Sequence, residues 1–139
     1  MLPVDKIAFL QNVPLFVGMT SQELMDVAEI VKEINYPPDT TIIREDDIGD
    51  HMFILVEGEV IVHRGNVQIG KLRSREFFGE ISIIDRGPRS ASVTTRSNCQ
   101  LLQIDQRDFW QILLAHNGLA ISMVKVLAQR LRQMLATAV

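Results

Sequence analysis

The stretch between Tyr36 and Ile104 constrains the fold more than any other part of the chain. Tyr36-Pro37-Pro38-Asp39 stops helical structure, because proline lacks an amide donor and restricts the residue before it. Beyond it the sequence breaks into short apolar and β-branched runs: Thr41-Ile42-Ile43, His51 to Val56, Val60 to His63, and Val67-Gln68-Ile69. Gly49, Gly58 and Arg64-Gly65-Asn66 separate them, and Ser90 to Thr94 and Gln100 to Ile104 add two more. Each such strand must bury one face against another sheet, so six or more at this spacing predict a sandwich, barrel or jelly roll.

Both flanks read as helical. Between Asp5 and Ile34, Ile7 and Leu10, and then Leu24, Val27, Ala28, Val31 and Ile34, recur at helical spacing, with Pro14 and Gly18 punctuating the connection. Thr20 three residues before Glu23 is a capping-box pattern for the second helix. After the strands, Asp105 is placed to cap a helix through Phe109, Trp110, Ile112 and Leu113, with Asn117-Gly118 ending it. A last helix runs from Leu119 towards Val139. The expected fold class is therefore mainly β with flanking helices: N-terminal helices over 1–35, a jelly-roll-like β-roll over 36–104, and C-terminal helices over 105–139. At 139 residues this is expected to be a single domain.

Charge and composition remove several function classes. The net charge is −3, whereas a chain that lives on phosphate-backbone contacts carries a basic surplus, so no nucleic-acid binding is expected. A single cysteine, Cys99, forms no internal disulfide, sits in an apolar strand and reads as a buried thiol. No apolar run reaches the roughly 18 residues a membrane helix needs, and the N-terminus lacks a secretory pattern, so a cytoplasmic protein without a membrane segment is expected. His51, His63 and His116 are not clustered for metal, and no nucleophile elbow or Walker-type loop is present. Glu45, Asp46, Asp47 and Asp50 read as a solvated turn without calcium-loop alternation. No catalytic residue and no metal ligand is assigned.

One stretch carries chemistry: Phe78-Gly79-Glu80-Ile81-Ser82-Ile83-Ile84-Asp85-Arg86-Gly87-Pro88-Arg89-Ser90-Ala91-Ser92-Val93. Gly79 permits close backbone approach or an unusual φ. Glu80 to Ile84 can form one helical turn whose first amides lack intrahelical partners. Gly87-Pro88 is a turn, and Arg89 supplies a planar fork of donors suited to paired phosphate oxygens. A helix-turn amino end, one arginine and one carboxylate together suit a singly charged anion that also carries a sugar hydroxyl. The same residues also fit a purely structural Glu80–Arg89 pair tying two segments together.

Phe78-Gly79-Glu80, Pro88-Arg89, Ser90-Ala91 and Ser92-Val93, with a nine-residue step from glutamate to arginine, resemble the phosphate-binding cassette of the cyclic-nucleotide-binding domains. Catabolite-activator regulators, regulatory subunits of cyclic-AMP-dependent kinase and cyclic-nucleotide-gated channels make up that family. Ile48-Gly49-Asp50 before Met52-Phe53-Ile54-Leu55, then Glu57-Gly58-Glu59-Val60, and the entry segment Phe9-Leu10 with Val13-Pro14-Leu15-Phe16 extend the resemblance over nearly the whole chain. It implies that Arg89 holds the exocyclic phosphate oxygens and Glu80 the ribose 2′-hydroxyl. Amides of Ile81, Ser82 and Ser90 would complete the cradle, Gly79 would contact the ribose, and Val62 and Ile69 would line the base pocket. Arg75-Glu76 departs from the family's usual glycine and acidic residue, which bears on the turn before the cassette. Position 90 often carries threonine in guanine-binding members. Serine occurs with adenine too, and the reading favours cyclic AMP over cyclic GMP.

In the last helix Val124, Leu127, Leu131, Met134 and Ala138 step by three and four, a seam about two heptads long, with Met123 and Val126 beside it. This face reads as packing on the barrel, as a homodimer seam, or as a lid over the base. An effector domain outside this chain is an alternative partner, and no DNA-reading role is expected of these residues. The function implied is a non-enzymatic cyclic-nucleotide sensor that needs no cofactor and couples its ligand to movement of the C-terminal helices. A ligand-free interaction or dimerisation module of the same fold, and a metal-dependent cupin-type enzyme, are the alternatives.

Overall fold

Two four-stranded antiparallel sheets form from the β-rich segment. The strands are β1 (Lys32–Tyr36), β2 (Thr41–Ile43), β3 (His51–Glu57), β4 (Val60–Arg64), β5 (Val67–Leu72), β6 (Phe77–Phe78), β7 (Ser92–Thr95) and β8 (Cys99–Asp105). One sheet runs β1-β8-β3-β6 and the other β2-β7-β4-β5. The computed structural model describes the backbone of residues 1–138 and side chains through Ala136. Val139 and the side chain of Ala138, where the apolar seam was expected to end, lie outside the described residues.

These residues group into two compact units, one of Met1 with Ile30–Phe109 and one of Leu2–Glu29 with the chain from Trp110 onward. In the first, the inner faces of both sheets meet in one core. Phe53, Leu55, Phe78, Cys99 and Leu101 come from one sheet and Ile43, Val60 and Val93 from the other. The Phe53 and Phe78 rings stack with centroids 5.4 Å apart, which joins β6 to β3. Met52, Ile54, Leu102 and Ile104 are buried as well, so β3 and β8 bury side chains on both faces; β3 is apolar without a break from Met52 to Val56, whereas Gln100 and Gln103 interrupt β8.

The structure departs from the sequence expectations in four places. Helix α2 (Ser21–Ile30) ends earlier than expected, and Lys32–Tyr36 is a strand, paired with β8 from Lys32↔Gln103 to Tyr36↔Cys99. Ile34 and Tyr36 pack towards the core while Glu33 and Asn35 face out, a period of two that outcompetes the helical spacing. The two-residue strand β6 was not anticipated; it pairs with Phe53 and Ile54. Ser90 and Ala91 precede β7, which begins only at Ser92. Asn117 opens a helix instead of ending one, since asparagine is as well suited to a helix start as to its stop: α4 (Gln106–Ala115) finishes two residues earlier and α5 runs Asn117–Ala138.

In the second unit α1 (Pro3–Leu10) begins with proline, where its missing amide costs nothing. A 3-10 turn at Pro14–Phe16 leads to α2. The capping box forms as expected: Thr20 N–H donates to Glu23 Oε1 at 3.0 Å, and Glu23 N–H to Thr20 Oγ1 at 3.1 Å. His116 lies within 3.0 Å of Glu23 and 3.2 Å of Asp26 through its two ring nitrogens. Along α5, Met123 is buried, whereas Val124, Leu131, Met134 and Leu135 are exposed. No single helix among the described residues is long and apolar enough to cross a membrane.

Candidate functional site

The cassette residues are folded into a short loop-helix-loop. Gly79 follows β6 with φ of 86°, a left-handed conformation natural to glycine, and starts α3 (Glu80–Asp85). Arg86 closes that helix, also left-handed at φ of 60°, and Gly87 N–H donates to Asp85 Oδ1 at 2.8 Å. Pro88 then bridges to Ile48. Arg89 is clamped by its backbone: its N–H donates to Asp47 O at 2.7 Å, and its carbonyl accepts from Asp46 N–H at 2.9 Å.

The Arg89 side chain turns inward and is only 8% exposed. Nη1 donates to Gly79 O at 2.8 Å and Nη2 to His51 O at 2.6 Å. Burial pushes its pKa down, and the negative charges of Asp50 and Glu80 oppose that. The ordinary value is so high that the group remains cationic at neutral pH. Two of the five N–H donors that arginine carries bond these carbonyls.

Glu80 is 3% exposed at the first position of α3, and Ser82 is equally buried, while Ile81 points largely to solvent. The structure thus brings Gly79, Glu80 and Arg89 together, with Ile81 and Ser82 on the same short helix. Ser90, next to Arg89, is exposed, and its carbonyl accepts from Arg64 Nε at 2.9 Å. Val62 is packed against the inter-sheet core. Ile69 is 56% exposed and sits where the β4–β5 register shifts between Val62↔Gly70 and His63↔Gln68. Ser92 is buried and structural: its hydroxyl accepts from Glu45 N–H and donates to Glu45 Oε1.

Four contributors escaped the sequence reading. The His51 carbonyl accepts from Arg89, Asp50 acts on it electrostatically, and Asp46 and Asp47 hold its backbone. The available signal was Gly49-Asp50 placed immediately before a strand. Nor is the acidic turn simply solvated: Glu45 accepts from Gly65 N–H at 2.8 Å, and this bond above all holds its carboxyl below the usual range. The turn at Arg75, where the family pattern has glycine, takes up φ of 77°, and its N–H donates to Leu55 O at 2.7 Å. A left-handed turn forms here on a residue other than glycine.

The other reactive side chains have separate partners. His51 lies 2.7 Å from Asp50 Oδ1, His63 bonds Gly65 O and Thr94 Oγ1, and Cys99 is buried near Glu59 O. Among the described residues no group of three or more such side chains is disposed to hold a metal ion.

Comparison with known proteins points the same way as the geometry. The pattern of the cyclic nucleotide-binding domain matches residues 33–116. Over 108 residues the chain is 30% identical to a cAMP-dependent protein kinase regulatory subunit of Aspergillus niger, covering 76% of this chain and 26% of that protein. Over 101 residues it is 36% identical to a cyclic nucleotide-gated potassium channel of Rhizobium etli, covering 73% of this chain and 28% of the channel. The chain spans about a quarter of the length of these curated relatives. Among solved structures it is similar to the catabolite activator protein of Thermus thermophilus, with a TM-score of 0.82 and 25% identity over 90% of this chain and 61% of that one.

Proposed function

The chain belongs to the cyclic nucleotide-binding domain family, and from that premise we propose that it is a sensor module for a cyclic nucleotide, with cyclic AMP preferred over cyclic GMP. The observation that carries this reading is the buried Arg89 guanidinium, held by two backbone carbonyls beside Glu80. A buried cation is costly unless it is compensated, and an anionic ligand would supply that compensation. In this reading the guanidinium takes the exocyclic phosphate oxygens. Glu80 accepts from the ribose 2′-hydroxyl, the amides of Ile81, Ser82 and Ser90 complete the cradle, Gly79 contacts the ribose, and Val62 and Ile69 border the base. The preference for cyclic AMP draws on the named cAMP dependence of the similar kinase regulatory subunit.

The output is movement of the C-terminal helices, and the exposed apolar face of α5 is the surface for a second copy or for an effector domain outside this chain. A nucleotide drives such a change only through its differential affinity for the two helix arrangements.

A second reading has its own support. Both Arg89 Nη groups are already bonded to the protein's own carbonyls, as a ligand-free interaction module of the same fold would require. Calorimetric titration with cyclic AMP, cyclic GMP and linear 5′-AMP separates the two. The sensor reading expects saturable binding of a cyclic nucleotide with 5′-AMP far weaker. No heat from either cyclic nucleotide overturns it in favour of the module, and equal competition by 5′-AMP means a different anion site.

A further inference from the structure

We infer that Gly49 is a positioning residue for this site: the space left by its missing side chain is the space in which the Arg89 guanidinium lies. A β-carbon on Gly49 would fall 1.9 Å from Arg89 Nε, 2.0 Å from Cζ and 2.4 Å from Nη2. Non-bonded carbon contacts settle at roughly 3.5–4.0 Å, so a methyl group there overlaps the guanidinium outright. The overlap with the guanidinium is tightest at this position: from Gly79 the nearest Arg89 atom would be 2.9 Å away, and the other crowded glycine, Gly58, would meet Asn98 O at 2.5 Å instead. A β-carbon on Gly18, Gly65, Gly70 or Gly118 would meet nothing within 4 Å.

Backbone conformation does not explain the glycine. The positive-φ glycines are Gly18, Gly58, Gly65 and Gly79, and Gly49 is not one of them. Gly79 is there for its left-handed φ and also stands close, with a β-carbon position 2.9 Å from Arg89 Nη1. The guanidinium therefore lies against two glycines from different parts of the chain, one selected by conformation and one by space. Retreat of the Arg89 backbone is blocked, because Asp46 and Asp47 bond it on both its N–H and its carbonyl. An added methyl at position 49 must displace the side chain instead, and with it the bonds to Gly79 O and His51 O.

The nucleotide part of this inference rests on the sensor reading, and the test keeps the two apart. In a nucleotide-free double-mutant cycle, melting midpoints are measured for wild type, Gly49→Ala, Arg89→Ala and the double variant. We expect Gly49→Ala to lower the midpoint when arginine is present and to leave it unchanged in the Arg89→Ala background, where the methyl enters vacated space. Equal lowering in both backgrounds, or no lowering in either, overturns the inference. If Gly49→Ala alone fails to fold, a folded double variant supports the inference and an unfolded one overturns it. In binding, Gly49→Ala is expected to weaken cyclic AMP by about thirtyfold or more, matching Arg89→Ala. Wild-type affinity in Gly49→Ala also overturns it. Absence of binding by the wild type counts against the sensor reading alone, and the thermal cycle then decides on Gly49.

Discussion

Arg89 is a buried cation whose partners are mostly main-chain atoms, and this sets what its replacement does. Arg89→Ala is expected to cost about 2–5 kcal/mol of cyclic-nucleotide binding, as when a buried charge partner is removed. Arg89→Lys should recover little of it, because one ammonium is a point donor on a flexible stem that cannot serve Gly79 O, His51 O and a phosphate together. Calorimetry on both variants checks this, and near-wild-type affinity in the lysine variant contradicts it. At Arg75 a side chain occupies a left-handed conformation that costs an L-residue about 1–2 kcal/mol, against about 0.5–1 kcal/mol for glycine's extra freedom when unfolded. Arg75→Gly is therefore expected to raise the melting midpoint slightly. Arg89 and Glu80 were legible in the sequence because they sit in one contiguous motif. The His51 acceptor was not, because a backbone carbonyl has no residue signature and lies 38 positions away.

Elements with a chemical start signal were the easiest to read. Thr20 and Glu23 announced α2, and Asp105 announced α4, where its Oδ1 accepts from Arg107 N–H at 2.8 Å. Lys32–Tyr36 was misread because Ile34 continues the helical spacing of α2 while also alternating with Tyr36, and only pairing with β8 decides between the two periods. β6 was hidden because two residues carry no periodicity. The α2 cap also makes a pH prediction. Bonds from the Thr20 amide and hydroxyl hold the Glu23 carboxyl below its ordinary 4.5, burial opposes them, and the approach of His116 adds a lesser lowering. A carboxyl depressed in the folded state contributes stability above its unfolded pKa, and that contribution fades as the pH falls through the lower folded value. Glu23→Gln retains a capping side chain and loses only the charge. Its melting midpoint should fall below wild type at neutral pH, and the gap should close as the pH drops below 4.5. A gap that persists in acid would mean that the charge is not responsible.

At the scale of the whole molecule, nucleotide binding and self-association are two properties to be tested together. A nucleotide that binds only the folded chain should add about 2.7 kcal/mol of stability at about a hundredfold excess over its dissociation constant, read as a higher melting midpoint. Val124, Leu131, Met134 and Leu135 leave apolar surface exposed along α5, and large contiguous patches of this kind mark association surfaces. Sedimentation equilibrium is expected to show mass rising with concentration, and Leu131→Glu should abolish the rise by placing a charge in the seam. If the nucleotide shifts the C-terminal helices, it must change the dimer dissociation constant by the same factor by which dimerisation changes nucleotide affinity, because the two routes close one thermodynamic cycle. Two titrations and two sedimentation series measure both factors. Should each equal one while binding and dimerisation both occur, the nucleotide and α5 are uncoupled, and the chain binds its ligand without using that helix to report it.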